Sequence, residues 1–234
     1  MKTTYIHNRF LGEDYIENLE QLKETNPHFW RIYGLGEWSS TGRAVYNNFE
    51  VLQFDEHEII KAYPRAKSLC GLDFGYVADA TAFIHLLVDE ASKQLWVCPR
   101  MLYQNGMLND EIADWITNNG FSKSVIIADS AEQKSIQQIK NCGVYKIKPS
   151  RKGKGSVASG ITYISQYKMY VHPSCEPFIE ELHNYTYKKT KEGIYTNEPE
   201  DKFNHLMDAM RYAMEELIFK SGGVKTMSKG ILGI

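Results

Sequence analysis

From Ser68 onward the chain is a succession of short apolar segments, and their order restricts the folds open to it. SLCGLDFGY, DATAFIHLLVD and KQLWVCPRMLY follow one another closely, with the turn-like Asp89-Glu90-Ala91-Ser92 before the third. Such spacing predicts an antiparallel meander of three strands. The texture then changes. KSVIIADSAE, VYKIKP and KMYVHP read as strands, and helical patterns alternate with them: MLNDEIADWITNNG with a glycine C-cap, EQKSIQQIKNCG, SVASGITYISQY and EPFIEELHNYTYKK. A meander followed by alternation predicts an α/β fold, with a mixed β-sheet flanked by helices on both faces. KKTKEGIYTNEP adds a β-hairpin turning at Glu192-Gly193, and a last helix is expected from about Asn204 to Phe219.

The front of the chain lacks this order. EDYIENLEQLKET, residues 13–25, reads as a helix with Ile16, Leu19 and Leu22 on one face, broken by Asn26-Pro27. PHFWRIYGLGEWSS reads as a short aromatic helix ending at Gly34 and Gly36, and no strong periodicity runs from Thr41 to Ala66. The expected organisation is a linker-like helical segment, 1–66, packing on a core domain, 67–220, with a frayed tail, 221–234. With 43 % hydrophobic and 24 % charged residues the chain has the makings of a soluble globular core. No apolar run is long enough to span a membrane, and MKTTYIHNRFLGEDY has no apolar signal region. Cys70, Cys98, Cys142 and Cys175 form no C-x-x-C pair, so they are expected to be buried, reduced thiols of an intracellular protein.

Three acids stand out by position. Asp73 lies between Leu72 and Phe74 in an apolar strand, where a carboxylate is costly unless its desolvation is offset. Asp129 ends the apolar run VIIAD; taken alone it reads as a turn former or helix N-cap. Asp208 falls on the last helix, one turn after His205, so the two share a face. On a helical wheel Leu206, Met210, Ala213, Met214 and Leu217 form the core stripe, with Asp208 nearly opposite and His205 on a flank. Singly, Asp208 reads as a solvated residue and His205 as a packed helix-start histidine. Together, three carboxylates from distant segments suit hard cations such as Mg²⁺ or Mn²⁺. Two such ions can clamp the attacking and leaving oxygens of a phosphodiester. Asp79, in YVADATA, reads as a turn residue, and Glu132 as a first-turn helix acid; either could stand behind the three aspartates.

Asp73 in GLDFGY, Asp129 in IIADSAE and Asp208 in NHLMDAMRYA resemble the three acidic motifs of phage terminase large-subunit nuclease domains. The resemblance covers roughly residues 68–219. YIENLEQLKETNPHFWRIYGLGEW is similar to the region that joins the terminase ATPase domain to the nuclease. The resemblance implies a ribonuclease H-like fold and the cutting of concatemeric viral DNA during packaging. It implies metal ligation by Asp73, Asp129 and Asp208, with Asp73 bridging two ions and His205 as a further metal ligand or as a proton-transfer and orienting group. It also implies a terminase ATPase domain, small subunit and portal protein as partners, and the cytoplasm of an infected bacterium as the setting. No G-x-x-x-x-G-K-[ST] loop is present; GKGS at 153–156 lacks the spacing and the Lys-Ser adjacency. The expectation is the nuclease half without the pump.

The net charge of −2 argues against a uniformly basic DNA binder but leaves room for a local patch. KNCGVYKIKPSRKGKGS crowds Lys140, Lys146, Lys148, Arg151, Lys152 and Lys154 around flexible glycines, which suits a sequence-independent grip on phosphates of double-stranded DNA. Lys188 and Lys189, beside the hairpin, could add a second contact. A solvated charged loop is the plainer alternative. Tyr185, Tyr187 and Tyr195 read as packing residues. Two other functions fit the residues less well: a junction-resolvase-like nuclease, and a non-catalytic DNA-docking module of a packaging motor.

Overall fold

The computed structural model describes residues 44–221 apart from 77, 78, 152, 154 and 194. The helices expected at 13–25 and 27–40 and the tail beyond 221 lie outside the described residues.

Two strands organise the centre. β2 (Lys67–Asp73) and β3 (Ala80–Asp89) pair antiparallel over their length, and all ten residues of β3 are buried. The third apolar segment does not make one strand. Pro99 cannot donate a ladder hydrogen bond, so the segment divides into β4 (Gln94–Val97) and β5 (Leu102–Asn105). Both pair antiparallel with β3, β4 with its far half and β5 with its near half. On the other side of β2, β6 (Ile126–Ala128) and β7 (Ile147–Pro149) run parallel to it. β8 (Lys168–Val171) lies parallel to β4, and β1 (Phe49–Val51) lies parallel to β8. The order is β1-β8-β4-β3-β2-β6-β7, with β5 beside β3.

β1 and α1 (Glu56–Ala62) fall in the stretch that showed no periodicity, and residues 44–66 belong to the same compact unit as the sheet. A three-residue edge strand is too short to show alternation, and α1 buries none of its residues, so it has no apolar stripe to read.

Helices cover both faces. α2 (Asn109–Asn118) and α3 (Gln133–Asn141) close a core with Cys70, Leu72, Phe83 and Ile126. α4 (Ser156–Ile164), α5 (Glu176–Asn184), α6 (His205–Ala213) and α7 (Glu215–Ser221) group together, with α6 lying on β2, β3 and β6. The long final helix is thus two, divided at Met214. β9 (Tyr187–Lys189) and β10 (Tyr195–Pro199) form the separate hairpin, with Gly193 at φ 81° in its turn.

One glycine sets the contact between sheet and helix. A Cβ on Gly71 would stand 1.8 Å from the Ala209 carbonyl oxygen and 2.9 Å from the Ala213 nitrogen. Only a residue without a side chain lets the α6 backbone rest directly on β2. Because strand side chains alternate, Asp73, two residues on from Gly71, faces α6, while Cys70 and Leu72 face α2 and α3.

Candidate metal centre

β2, β6 and β7 run parallel, so their carboxyl ends lie together. Asp73 is the last residue of β2 and only 8 % exposed. Asp129 follows β6 directly. Its N–H donates to the Leu72 carbonyl at 3.0 Å, and its Oδ1 accepts from the Ala131 N–H at 3.0 Å. That pair of bonds turns the chain away from the sheet and leaves the carboxylate half-buried beside the end of β2.

α6 brings the remaining groups. His205 Nδ1 lies 3.1 Å from Asp73 Oδ2, and Nε2 lies 3.6 Å from Asp79 Oδ1. Asp79 is exposed, in the bend before β3, as a turn residue should be. Asp208 does not stand opposite the core, as the wheel suggested. Leu206, Met207, Ala209, Met210, Tyr212 and Ala213 are all buried, so α6 is enclosed nearly all round and Asp208 is half-buried. A helix sandwiched between a sheet and other helices has no solvated face for a wheel to find. Asp208 Oδ1 takes a 2.7 Å ion pair from Arg211, one turn along.

The electrostatics link these groups. Burial pushes the Asp73 carboxyl up to about 6; the His205 hydrogen bond pulls it back, and the charges of Asp208 and Asp129 push it further. The hydrogen bond to Asp73 holds His205 above its ordinary value against the opposing effect of burial. Like charges gathered around a buried carboxylate suit a hard, multiply charged cation with oxygen ligands. The donor set therefore fits Mg²⁺ or Mn²⁺. The three aspartates do not converge to the mutual 4.8 Å spacing of donors around one shared ion; among the described residues Glu56, His85 and Cys98 do.

Two residues of this region escaped the sequence reading. Arg211 could have been found, since it lies three residues after Asp208 on one helix. Glu181 is subtler. On α5 and its C-cap, Phe178, Glu181, Leu182 and Tyr185 fall at helical spacing and all are buried, so a carboxylate occupies a place on the apolar stripe. Its Oε2 accepts from the backbone N–H groups of Leu206 at 2.8 Å and Met207 at 3.3 Å. Glu181 thus caps the N-terminus of α6, where no side chain of the Asn204 cap does so. Glu132, by contrast, is exposed on the α2–α3 side, where it accepts from Ser135 at 3.1 Å.

The basic residues divide. Lys148 pairs with Ile127, which pairs with Gly71, so its exposed side chain is on the same sheet face as Asp73. Arg151 is exposed just beyond β7; its backbone N–H donates to Glu215 and its guanidinium lies 5.5 Å from the Phe219 ring centre. Lys152 and Lys154 lie outside the described residues. Lys188 forms an ion pair with Asp201 at 2.9 Å, and Lys189 sits 4.7 Å over the Tyr195 ring. Tyr185 is a packing residue, stacked on Tyr46. Cys70, Cys98 and Cys175 are buried free thiols, whereas Cys142, at the exposed end of α3, departs from the expected burial. No helix among the described residues is long and apolar enough to cross a membrane.

Comparison with known proteins gives the family. The family described as "Terminase RNAseH like domain" matches residues 73–216, and that described as "Phage terminase large subunit" matches residues 1–37. The chain is 33 % identical over 224 residues to the PBSX phage terminase large subunit of Bacillus subtilis, covering 91 % of this chain and 51 % of that protein. It is 33 % identical over 227 residues to the terminase large subunit of Bacillus phage SPP1, covering 95 % and 53 % respectively. The chain thus spans about half the length of these relatives. Among solved structures it is similar to the SPP1 large-terminase nuclease domain with bound Mn, at a TM-score of 0.67 and 28 % identity over 74 % of this chain and 99 % of that one. The large terminase of a thermophilic bacteriophage shares the fold at a TM-score of 0.56 and 16 % identity, over 92 % of this chain and 55 % of that one.

Proposed function

This chain belongs to the terminase RNase H-like domain family, and we propose that it is the metal-dependent DNA endonuclease of a phage genome-packaging terminase. The observation that carries the reading is the buried Asp73 carboxylate, hydrogen-bonded by His205 and crowded by the charges of Asp129 and Asp208. The Mn bound to the SPP1 nuclease domain supports a divalent ion in the corresponding role. Asp73, Asp129 and Asp208 would hold two ions. Once bound, such ions supply the Lewis acidity that activates water and stabilises the leaving 3′-oxygen.

The protein's own groups prepare the site. His205 orients the Asp73 carboxylate through Nδ1, and the Arg211 ion pair fixes the Asp208 carboxylate on its helix turn. Lys148 and Arg151 extend the same side of the sheet toward a duplex, gripping phosphates without reading bases. Concatemeric DNA is the proposed substrate, the cytoplasm of the infected bacterium the setting, and the ATPase domain, small subunit and portal the proposed partners.

Cleavage of supercoiled plasmid in Mn²⁺ tests the reading, with Mn²⁺ binding followed by calorimetry. Asp73→Asn and Asp208→Asn should each reduce cleavage to background and weaken Mn²⁺ binding while the circular dichroism spectrum stays unchanged. Full cleavage by a purified, folded Asp73→Asn protein would refute the site. A wild-type protein that binds DNA but never cuts it would leave the docking-module alternative standing.

A further inference from the structure

On the opposite face of the sheet from the aspartates, three donor side chains meet. Glu56 comes from the first turn of α1, His85 from the middle of β3 and Cys98 from the residue after β4. One donor atom of each lies within 4.8 Å of the other two. The face is fixed by register: His85 pairs with Cys70, and both point away from α6, whereas Asp73 points toward it. We propose that Glu56, His85 and Cys98 form a second metal site, selective for a borderline-soft divalent ion of the Zn²⁺ class.

Three observations support it. First, His85 is 4 % exposed and its Nδ1 has no hydrogen-bond partner among the described residues. A buried imidazole nitrogen left open is costly unless something binds it. The other ring nitrogen, Nε2, lies 2.9 Å from Ser68 Oγ. In the tautomer that donates Nε2–H to Ser68, the Nδ1 lone pair turns into the cluster, as outer partners of metal-binding histidines arrange.

Second, the spacing suits shared ligation better than direct bonding. His85 Nδ1 and Glu56 Oε2 are 3.5 Å apart, long for a hydrogen bond. Ligands at about 2.0–2.3 Å from one tetrahedral Zn²⁺ stand roughly 3.3–3.8 Å from each other. Cys98 is fully buried beside them, held by its N–H to the His85 carbonyl at 3.0 Å; its thiol makes a long 3.9 Å contact to the Trp96 carbonyl.

Third, the donor chemistry separates the two sites. A thiolate and an imidazole favour Zn²⁺ or Co²⁺ over Mg²⁺, while the aspartates favour the hard ions. Binding displaces one proton, from Cys98 Sγ to solvent; His85 and Glu56 contribute lone pairs without losing protons. The ion would clip α1, which buries no residue of its own, to β3 and β4. Arg100, 2.8 Å from Glu56 Oε2 and about half exposed, competes for the same carboxylate. Removing it should strengthen metal binding, whereas a merely structural ion pair would only be lost.

The experiment uses Co²⁺ alone as the probe, titrated into the full chain after chelator treatment, in a Cys142→Ser background that removes the exposed thiol. A thiolate-to-cobalt charge-transfer band should appear at one equivalent and be displaced by Zn²⁺. Glu56→Gln should weaken the affinity at least about tenfold, Cys98→Ser should abolish the band, and Arg100→Ala should tighten binding. The band should persist in Asp73→Asn, which separates this site from the aspartates whatever the fate of the nuclease reading. No band in the parent, or a band that survives Cys98→Ser, overturns the proposal. If Cys98→Ser fails to fold, the Glu56→Gln affinity decides: an unchanged value overturns it.

Discussion

Among the described residues Asp73, Asp89, Glu181 and Glu215 are buried carboxylates, and burial alone does not say what any of them is for. Asp73 meets other acids and a histidine at the end of a strand; Glu181 meets the backbone N–H groups of Leu206 and Met207, His205 of α6 and Tyr103 of β5. Burial raises Glu181 from an ordinary 4.5 to about 7, and the two amides, the Tyr103 hydroxyl and the His205 charge pull it back only in part. A folded-state pKa above the unfolded value means that the native state binds the proton more tightly. Its stabilising contribution is therefore complete below pH 4.5 and is lost as the pH rises through about 7. The loss should be on the order of 3 kcal/mol. Asp73 titrates in an overlapping range, so the comparison must be between proteins. Urea unfolding of the wild type should show stability falling between those pH values, and Glu181→Gln should flatten that fall while still accepting from the two amides. Equal slopes in the two proteins would show that Glu181 does not titrate there. At this scale the sequence was readable where a polar residue interrupts an apolar strand, as Asp73 does. Glu181 interrupts an apolar helical stripe in the same way, but Glu180 beside it hides the signal, because the helix phase is not known to one residue.

Among the elements, α6 is the one whose placement matters most, and Gly71 governs it. The helix backbone occupies the space that a β2 side chain would otherwise fill, so His205 reaches the Asp73 carboxylate. Gly71→Ala would drive a methyl group into the Ala209 carbonyl, and backbone cannot step aside as a side-chain tip can. The expected cost is roughly 1–3 kcal/mol or more in stability. Cleavage should fall further than stability explains, because α6 lifts away from β2 and separates His205 and Asp208 from Asp73. Denaturant titration and plasmid cleavage on the same preparation check both halves, and wild-type activity in Gly71→Ala would show that the close approach is not needed. The strands were readable because β3 and β2 are long apolar runs with turn residues between them. β1 and the break at Met214 were not: three residues at a sheet edge carry no period, and the stripe of the last helix continues through the break. The β4–β5 division was marked by Pro99, whose missing N–H is a plain stop signal.

Across the whole molecule the charge is nearly balanced, at −2, while its arrangement is not. The aspartates come from the carboxyl ends of β2 and β6 and from α6, while Lys148 and Arg151 lie one strand further along, on β7 and just beyond it. Under the proposed function, that separation would let an anionic duplex lie on the basic edge while its backbone reaches the acidic centre. Register supports the arrangement for Lys148, which shares the Asp73 face, and Arg151 extends it, since its backbone is anchored to Glu215 and its side chain is exposed. Lys188 is a weaker candidate because Asp201 already neutralises it. This ranking was not accessible from composition, which counts lysines without saying which are already paired. If Lys148 and Arg151 each neutralise one phosphate, each contributes about 0.9 to the slope of log K against log salt on duplex DNA. Lys148→Ala combined with Arg151→Ala should therefore weaken binding at low salt and flatten the slope by about 1.8. Mn²⁺ affinity should be unchanged, because neither residue is a ligand. Cleavage should recover at saturating DNA, since the loss is one of substrate affinity. Lys188→Ala should leave the slope nearly intact. Filter-binding or anisotropy titrations at several salt concentrations decide the matter: an unaltered slope in the double variant removes the β7 edge from the DNA path, and a large change in Lys188→Ala moves that path to the hairpin.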